Sequence, residues 1–120
     1  DRVDIWVTVP RVNTKRLSRD ERGESSADVR ARIKKARDVQ KRRGKKLNAS
    51  LSARDIADAR WLSPEARETL EKAGERDQIS ARVFHKLVKV GRTIADLDGR
   101  DTVSQNDAME ALSFRPKISF

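Results

Sequence analysis

The chain has 120 residues, 36% hydrophobic and 39% charged, with no cysteine and a formal net charge of +9. That length suits one small domain and leaves no room for a nucleotide-binding core plus a lid. The absence of cysteine excludes a disulfide framework, a thiolate zinc site and a Cys nucleophile, so a reducing, cytoplasmic setting fits best; with no apolar run near the roughly 18 residues that cross a bilayer, and no signal-peptide pattern in Asp1-Arg2-Val3-Asp4, no membrane partner is expected.

The positive charge is concentrated. Residues 11–46 hold fifteen Lys and Arg against five Asp and Glu, while the remainder holds thirteen against fourteen. Such a block points to a polyanion, most simply nucleic acid; a solvated basic face that keeps the domain soluble is the alternative.

At the start, Val3, Ile5, Val7 and Val9 alternate with Asp4, Trp6 and Thr8 and stop at Pro10, the period of a strand. No second strand follows, so its backbone groups must pair with another copy or with a larger sheet from which it was cut. Residues 11–24 form a polar connector. Ser25 followed by Asp28 predicts a capping box and a helix from about Ser26 to Arg43. Within it Val29, Ile33, Ala36 and Val39 make an apolar stripe, while Arg30, Lys34, Arg37 and Lys41 recur at the same spacing on another face. One side should pack and the other is strongly basic. Gly44-Lys45-Lys46 ends this helix and Asn48-Ala49-Ser50 bridges to the next.

Ser52 is placed to cap a short helix through about Arg60 that carries Ile56 inward, with Trp61-Leu62 as an apolar plug at its exit. Ser63-Pro64-Glu65 combines a cap, a first-turn proline and an acid near the positive end of the dipole, predicting a helix to about Arg76 with Ala66, Leu70 and Ala73 inside. Ser80 opens the most apolar helix, where Val83, Leu87, Val90 or Gly91, and Ile94 form a stripe flanked by Phe84 and Val88. This should be the centre of the bundle. After a turn at Asp98-Gly99-Arg100-Asp101, Ser104 with Asp107 caps a last helix with Ala108, Met109 and Leu112 inward. The predicted fold class is all-α, a bundle of about five helices preceded by one N-terminal β-strand, without internal repeats.

The chemistry-bearing motifs are few. Neither a Gly-x-x-x-x-Gly-Lys-Ser/Thr phosphate loop nor a Gly-x-Gly-x-x-Gly fingerprint is present. His85 is the sole histidine, no nucleophile elbow surrounds a serine, and His85 reads as a partly exposed helix residue. Glu68 with Glu71, and Asp96 with Asp98, have too few companions for a metal or glycosidase site and read as helix-surface charges and caps. A free-standing DNA-binding module would take Leu51 to Arg76 as a helix-turn-helix, but Glu65, Glu68, Glu71 and Glu75 crowd its second helix and repel phosphate.

A more specific signal comes from runs of residues. Asp1-Arg2-Val3-Asp4-Ile5 through Val7-Thr8-Val9-Pro10-Arg11, then Gly23-Glu24-Ser25-Ser26-Ala27 with Val29-Arg30-Ala31-Arg32-Ile33 and Ala36-Arg37-x-x-Gln40, resembles the C-terminal region of the Mg-chelatase-like AAA+ ATPases of the ComM (YifB) family. Ile79-Ser80-Ala81-Arg82 and Gly91-Arg92-Thr93-Ile94-Ala95-Asp96-Leu97 resemble the family's lid motifs, in the right order. The resemblance implies a hexameric parent whose Walker motifs lie upstream, with residues 1–10 as the terminal strand of its AAA+ core, 11–24 as linker and 25–120 as the helical lid. It implies ATP and Mg in the parent and no cofactor or turnover in this chain alone. The implied partners are the rest of the parent, neighbouring subunits, and DNA undergoing branch migration in recombination and natural transformation.

On the family pattern Arg82 falls at the sensor-2 position, a lid arginine that reaches the γ-phosphate. Arg2 falls in the family's Leu-Leu-Asp-Arg-Ile-Asp segment as an arginine-finger candidate, with Val3 replacing the usual Ile. The resemblance does not say whether Arg30, Lys34, Arg37 and Lys41 face DNA, a neighbouring subunit or water. A lid of a true magnesium chelatase motor, acting on protoporphyrin, is the sibling reading, although Gly23-Glu24-Ser25-Ser26 is more similar to the ComM branch.

Overall fold

A computed structural model describes residues 4–9, 24–44, 47–57 and 61–115. They contain five α-helices: α1 (Ser26–Gly44), α2 (Ala53–Ile56), α3 (Pro64–Asp77), α4 (Ala81–Leu97) and α5 (Gln105–Ser113), with a 3-10 turn at Asn48–Ser50 between α1 and α2. No sheet is formed among the described residues, and Leu62 and Val103 make an isolated parallel bridge.

Serines start these helices because a hydroxyl can accept from an otherwise unpaired first-turn amide. Ser25 accepts from Asp28 N–H at 3.1 Å and Ser63 from Ala66 N–H at 3.0 Å. Ser80 accepts from Val83 N–H, and Ser52–Asp55 and Ser104–Asp107 are complete capping boxes. The short second helix differs from expectation. It ends at Ile56 with Ala57 closing the turn, and residues 58–60 lie outside the described set.

The described part of the expected strand, residues 4–9, has no regular structure. Trp6 N–H donates to the Phe114 carbonyl at 2.7 Å and Lys86 reaches the Asp4 carboxylate at 3.4 Å, which tethers the segment without completing a ladder. A strand pattern alone does not make a sheet where no second strand is present. Val3, Pro10 and the connector through residue 23 lie outside the described residues.

The bundle is organised around α4, which packs on α1, α2, α3, α5 and the 3-10 turn. Its Leu87, Val88, Val90 and Ala95 meet Ile56, Leu62, Ala66, Leu70, Val103, Ala108 and Ala111 in one core. Gly91 permits the close approach of α4 to the segment before α5, since a Cβ there would lie 3.1 Å from Val103 Cγ1. Across the bridge Val103 N–H donates to the Trp61 carbonyl and Ser63 N–H to the Val103 carbonyl, fixing the starts of α3 and α5 together.

Two residues expected inside are outside. Met109 is 54% exposed and lines a shallow groove between α3 and α5 with Thr69, Ala73 and Leu112, while Ala111 takes the inward position. Ile33 is 42% exposed because α1 enters the core through its C-terminal half, where Ala36 and Gln40 are its buried residues.

Candidate functional site

The N-terminus of α4 carries Arg82 as its second residue, exposed and without a hydrogen bond or ion pair to any described residue. No acid occupies the first turn of α4. A cation at the positive end of a helix dipole is disfavoured by a few tenths of a kcal/mol or more. Ser80 caps Val83 N–H, and the remaining first-turn amides with the Arg82 guanidinium make this end of α4 favourable for an anion. Arg2 lies outside the described residues.

The opposite end of α4 is occupied by a buried polar network that sequence reasoning did not find. Arg92, 1% exposed, donates through Nε and Nη2 to Asp96 Oδ1 at 3.2 and 3.0 Å, and through its η nitrogens to the Arg100 and Asp101 carbonyls. Asp96 is itself 3% exposed, so the surface charge expected there is a correction. The same Oδ1 accepts from Arg43 of α1, and Oδ2 accepts from Asn48 Nδ2 at 2.9 Å. Asn48 Nδ2 also donates to Thr93 Oγ1, and its backbone N–H donates to Gln40 Oε1 at 2.8 Å. Arg43 in addition lies over the Trp61 ring, 5.8 Å from its centroid, in cation–π geometry.

Each buried polar side-chain atom among the described residues has a partner. A satisfied network of this kind fixes one arrangement of the elements it joins, because any shift would strand a buried charge. It locks the C-terminal half of α1 to the C-terminal half of α4. The available signal was the Arg92–Asp96 pair, four residues apart and flanked by Val88, Gly91 and Ala95 on the apolar face of α4.

A second pair closes the turn before α5. Arg100 grips Asp107 with both η nitrogens at 2.6 Å and also reaches Asp98 and Ser104. Burial pushes the Asp107 carboxyl up, but hydrogen bonds from Arg100 and from Ser104 outweigh it and hold the group below its ordinary value. The Asp107 and Asp98 hydrogen bonds hold Arg100 firmly protonated.

The basic residues predicted on α1 are all exposed: Arg30, Lys34, Arg37 and Lys41. None makes an ion pair or hydrogen bond with a described residue. His85 is half-buried with its ring edge-on to Phe84 at 6.4 Å. Among the described residues no group of three or more His, Cys, Asp or Glu is placed to hold a metal, and no helix is long and apolar enough to cross a membrane. The helix-turn-helix alternative meets an α2 of four residues and an α3 whose Glu65, Glu68, Glu71 and Glu75 are all exposed.

The described residues form a helical bundle with Arg82, unpaired among them, at the start of its central helix and a polar clamp at that helix's far end. The chain belongs to the family described as magnesium chelatase, subunit ChlI C-terminal, which it matches over residues 23–115. It is 37% identical to the competence protein ComM of Haemophilus influenzae over 98% of its own length and 23% of that protein's. It is 40% identical to the YifB protein of Salmonella typhimurium and 37% identical to that of Escherichia coli, in each case over 96% of this chain and 23% of the relative. The chain therefore corresponds to a C-terminal domain of ComM/YifB-type proteins and spans about a quarter of their length.

Proposed function

We propose that this chain is the helical lid of a Mg-chelatase-like AAA+ ATPase, with Arg82 as the residue through which the lid senses bound nucleotide. Residues 25–120 form the lid, 11–24 the linker and 1–10 the last strand of the core, which gives the alternating Ile5, Val7 and Val9 segment its missing ladder. The supporting observation is Arg82: an exposed guanidinium, free of any described partner, at a helix end where its charge is disfavoured unless an anion is present.

A guanidinium so placed stabilises negative charge on phosphoryl oxygens, and attachment to the central helix of the lid links that contact to movement of the whole bundle. ATP and Mg would be held by the parent's core, with Arg2 as the finger toward a neighbouring subunit of a hexamer. The work of such a motor would be remodelling of DNA, in keeping with the competence protein among the relatives, in the cytoplasm. The sibling reading, the lid of a true magnesium chelatase motor, has the family description in its favour. The DNA motor is preferred because one relative that aligns over nearly the whole chain is a competence protein.

The test is made in the full-length protein. Arg82→Ala should lower ATP turnover at least about tenfold, the scale of one lost transition-state contact, with Arg82→Lys recovering part of it. Turnover unchanged in Arg82→Ala would sink the assignment, and ATP hydrolysis by the 120-residue chain alone would show that the core is not needed.

A further inference from the structure

We propose that the face of α1 formed by Arg30, Lys34, Arg37 and Lys41 is a docking surface for the phosphodiester backbone of nucleic acid. The inference rests on charge and geometry and stands apart from the role given to Arg82.

α1 carries eight Lys and Arg and two Asp in 19 residues. Several of these cations have structural employment. Arg32 grips Glu24 at 2.7 and 2.9 Å, Arg42 Nε donates to the Asp38 carbonyl, and Arg43 holds Asp96 and Trp61. Arg30, Lys34, Arg37 and Lys41 have none among the described residues. Steps of four, three and four residues keep them in one narrow arc of the helix, about 16 Å from first to last.

Like charges at these spacings destabilise a helix by a few tenths of a kcal/mol per pair. A surface needed only for solubility avoids that cost by mixing signs. A polyanion with regularly repeated charge removes it. The Gln40–Asn48 and Arg43–Asp96 contacts fix the C-terminal end of α1 against the 3-10 turn and α4, which holds Arg37 and Lys41, while Arg30 and Lys34 extend from it on an exposed length of helix. Arg37 and Lys41 therefore meet a phosphate backbone without first having to be ordered.

A lipid surface is a poor fit. An interfacial helix must bury its apolar face in the bilayer, whereas Ala36 of α1 is already buried, Val29 and Val39 are half-buried in the protein, and Ile33 alone is a large apolar side chain left exposed on it. Ile33, 42% exposed, is the single large apolar side chain on α1 beside the row, too little for the apolar centre of a protein–protein interface, which is also depleted in Lys.

The experiment measures binding of the 120-residue chain to labelled single-stranded and duplex DNA between about 50 and 200 mM salt, without nucleotide. Four phosphate contacts correspond to a log–log salt slope of about −3.6 for duplex and −2.8 for single strands, so Lys34→Ala with Arg37→Ala should reduce its magnitude by about 1.8 and 1.4. Lys72→Ala with Arg76→Ala on α3 removes the same charge from exposed sites elsewhere and should leave the slope unchanged. Lys34→Gln with Arg37→Gln repeats the measurement, and circular dichroism melts of every variant separate loss of contact from loss of fold. Absence of DNA binding, a slope unaltered in both α1 variants, an equal loss in the α3 variant, or tighter binding to anionic phosphatidylserine vesicles than to DNA at matched charge would each overturn the proposal. None of these outcomes depends on ATP, so failure here is distinct from failure of the Arg82 assignment.

Discussion

Asp96 shows how much one carboxylate can organise. It accepts from Arg92 and Arg43 on one oxygen and from Asn48 on the other, at 3% exposure. Removing it leaves the buried Arg92 charge without its counter-ion, so Asp96→Ala should lower unfolding free energy by about 3–5 kcal/mol in urea titrations. Asp96→Asn, which keeps hydrogen-bonding atoms at the site, should cost less. Asp107 makes a different prediction. Its carboxyl is held below the ordinary value of 3.8, so the stability it contributes is present above that value and is lost as pH falls through its lower folded value. Denaturation midpoints should therefore decline on the acid side, and Asp107→Asn should flatten that limb while leaving stability more uniform with pH. Serine caps are legible because their mechanism is local, but Asp96 has the sequence pattern of a surface charge because its partners Arg43 and Asn48 lie 53 and 48 residues away.

Helix starts were legible for the same local reason, and helix ends less so. α3 ends with Gln78 in the left-handed region, φ 51° and ψ 48°, where its amide donates to the Gly74 carbonyl. A side chain there costs about 1 kcal/mol, so Gln78→Gly should raise stability by roughly 0.5–1 kcal/mol, read from thermal melts. Ser104→Ala should lower it by about 1 kcal/mol through loss of the α5 capping box. Periodicity identified the apolar face of α3, with Ala66, Leu70 and Ala73 buried, and most of that of α4, where Leu87, Val90 and Gly91 are buried, Val83 and Ile94 are half-buried at its margins, and the flanking Val88 is buried as well. It misplaced Ile33 and Met109. A periodic pattern reports which residues share a face, but whether another element covers that face depends on how the bundle is assembled.

Across the whole molecule, the two candidate regions depend on α4 in different ways. Its first turn carries Arg82, and its last turns hold the helix that presents Arg30, Lys34, Arg37 and Lys41. The charge block in residues 11–46 was evident from composition alone. Which cations remain free of internal partners was not, because pairing is decided by tertiary neighbours such as Asp96. The Arg82 position was legible only through its motif, since nothing in an isolated arginine marks it as different from other surface residues. Arg43→Ala should loosen the attachment of α1 without emptying the core, giving faster amide exchange through residues 36–44 while exchange in α4 changes less.

The attachment of α1 at one end also has a proteolytic consequence. From Ser26 to Lys35 each residue is exposed except the half-buried Val29. Arg30, Arg32, Lys34 and Lys35 therefore offer four tryptic bonds on a length of helix that can open without breaching the core. Brief digestion of the native chain should cut there well before the Lys and Arg bonds of α4, leaving a trimmed bundle that still melts cooperatively.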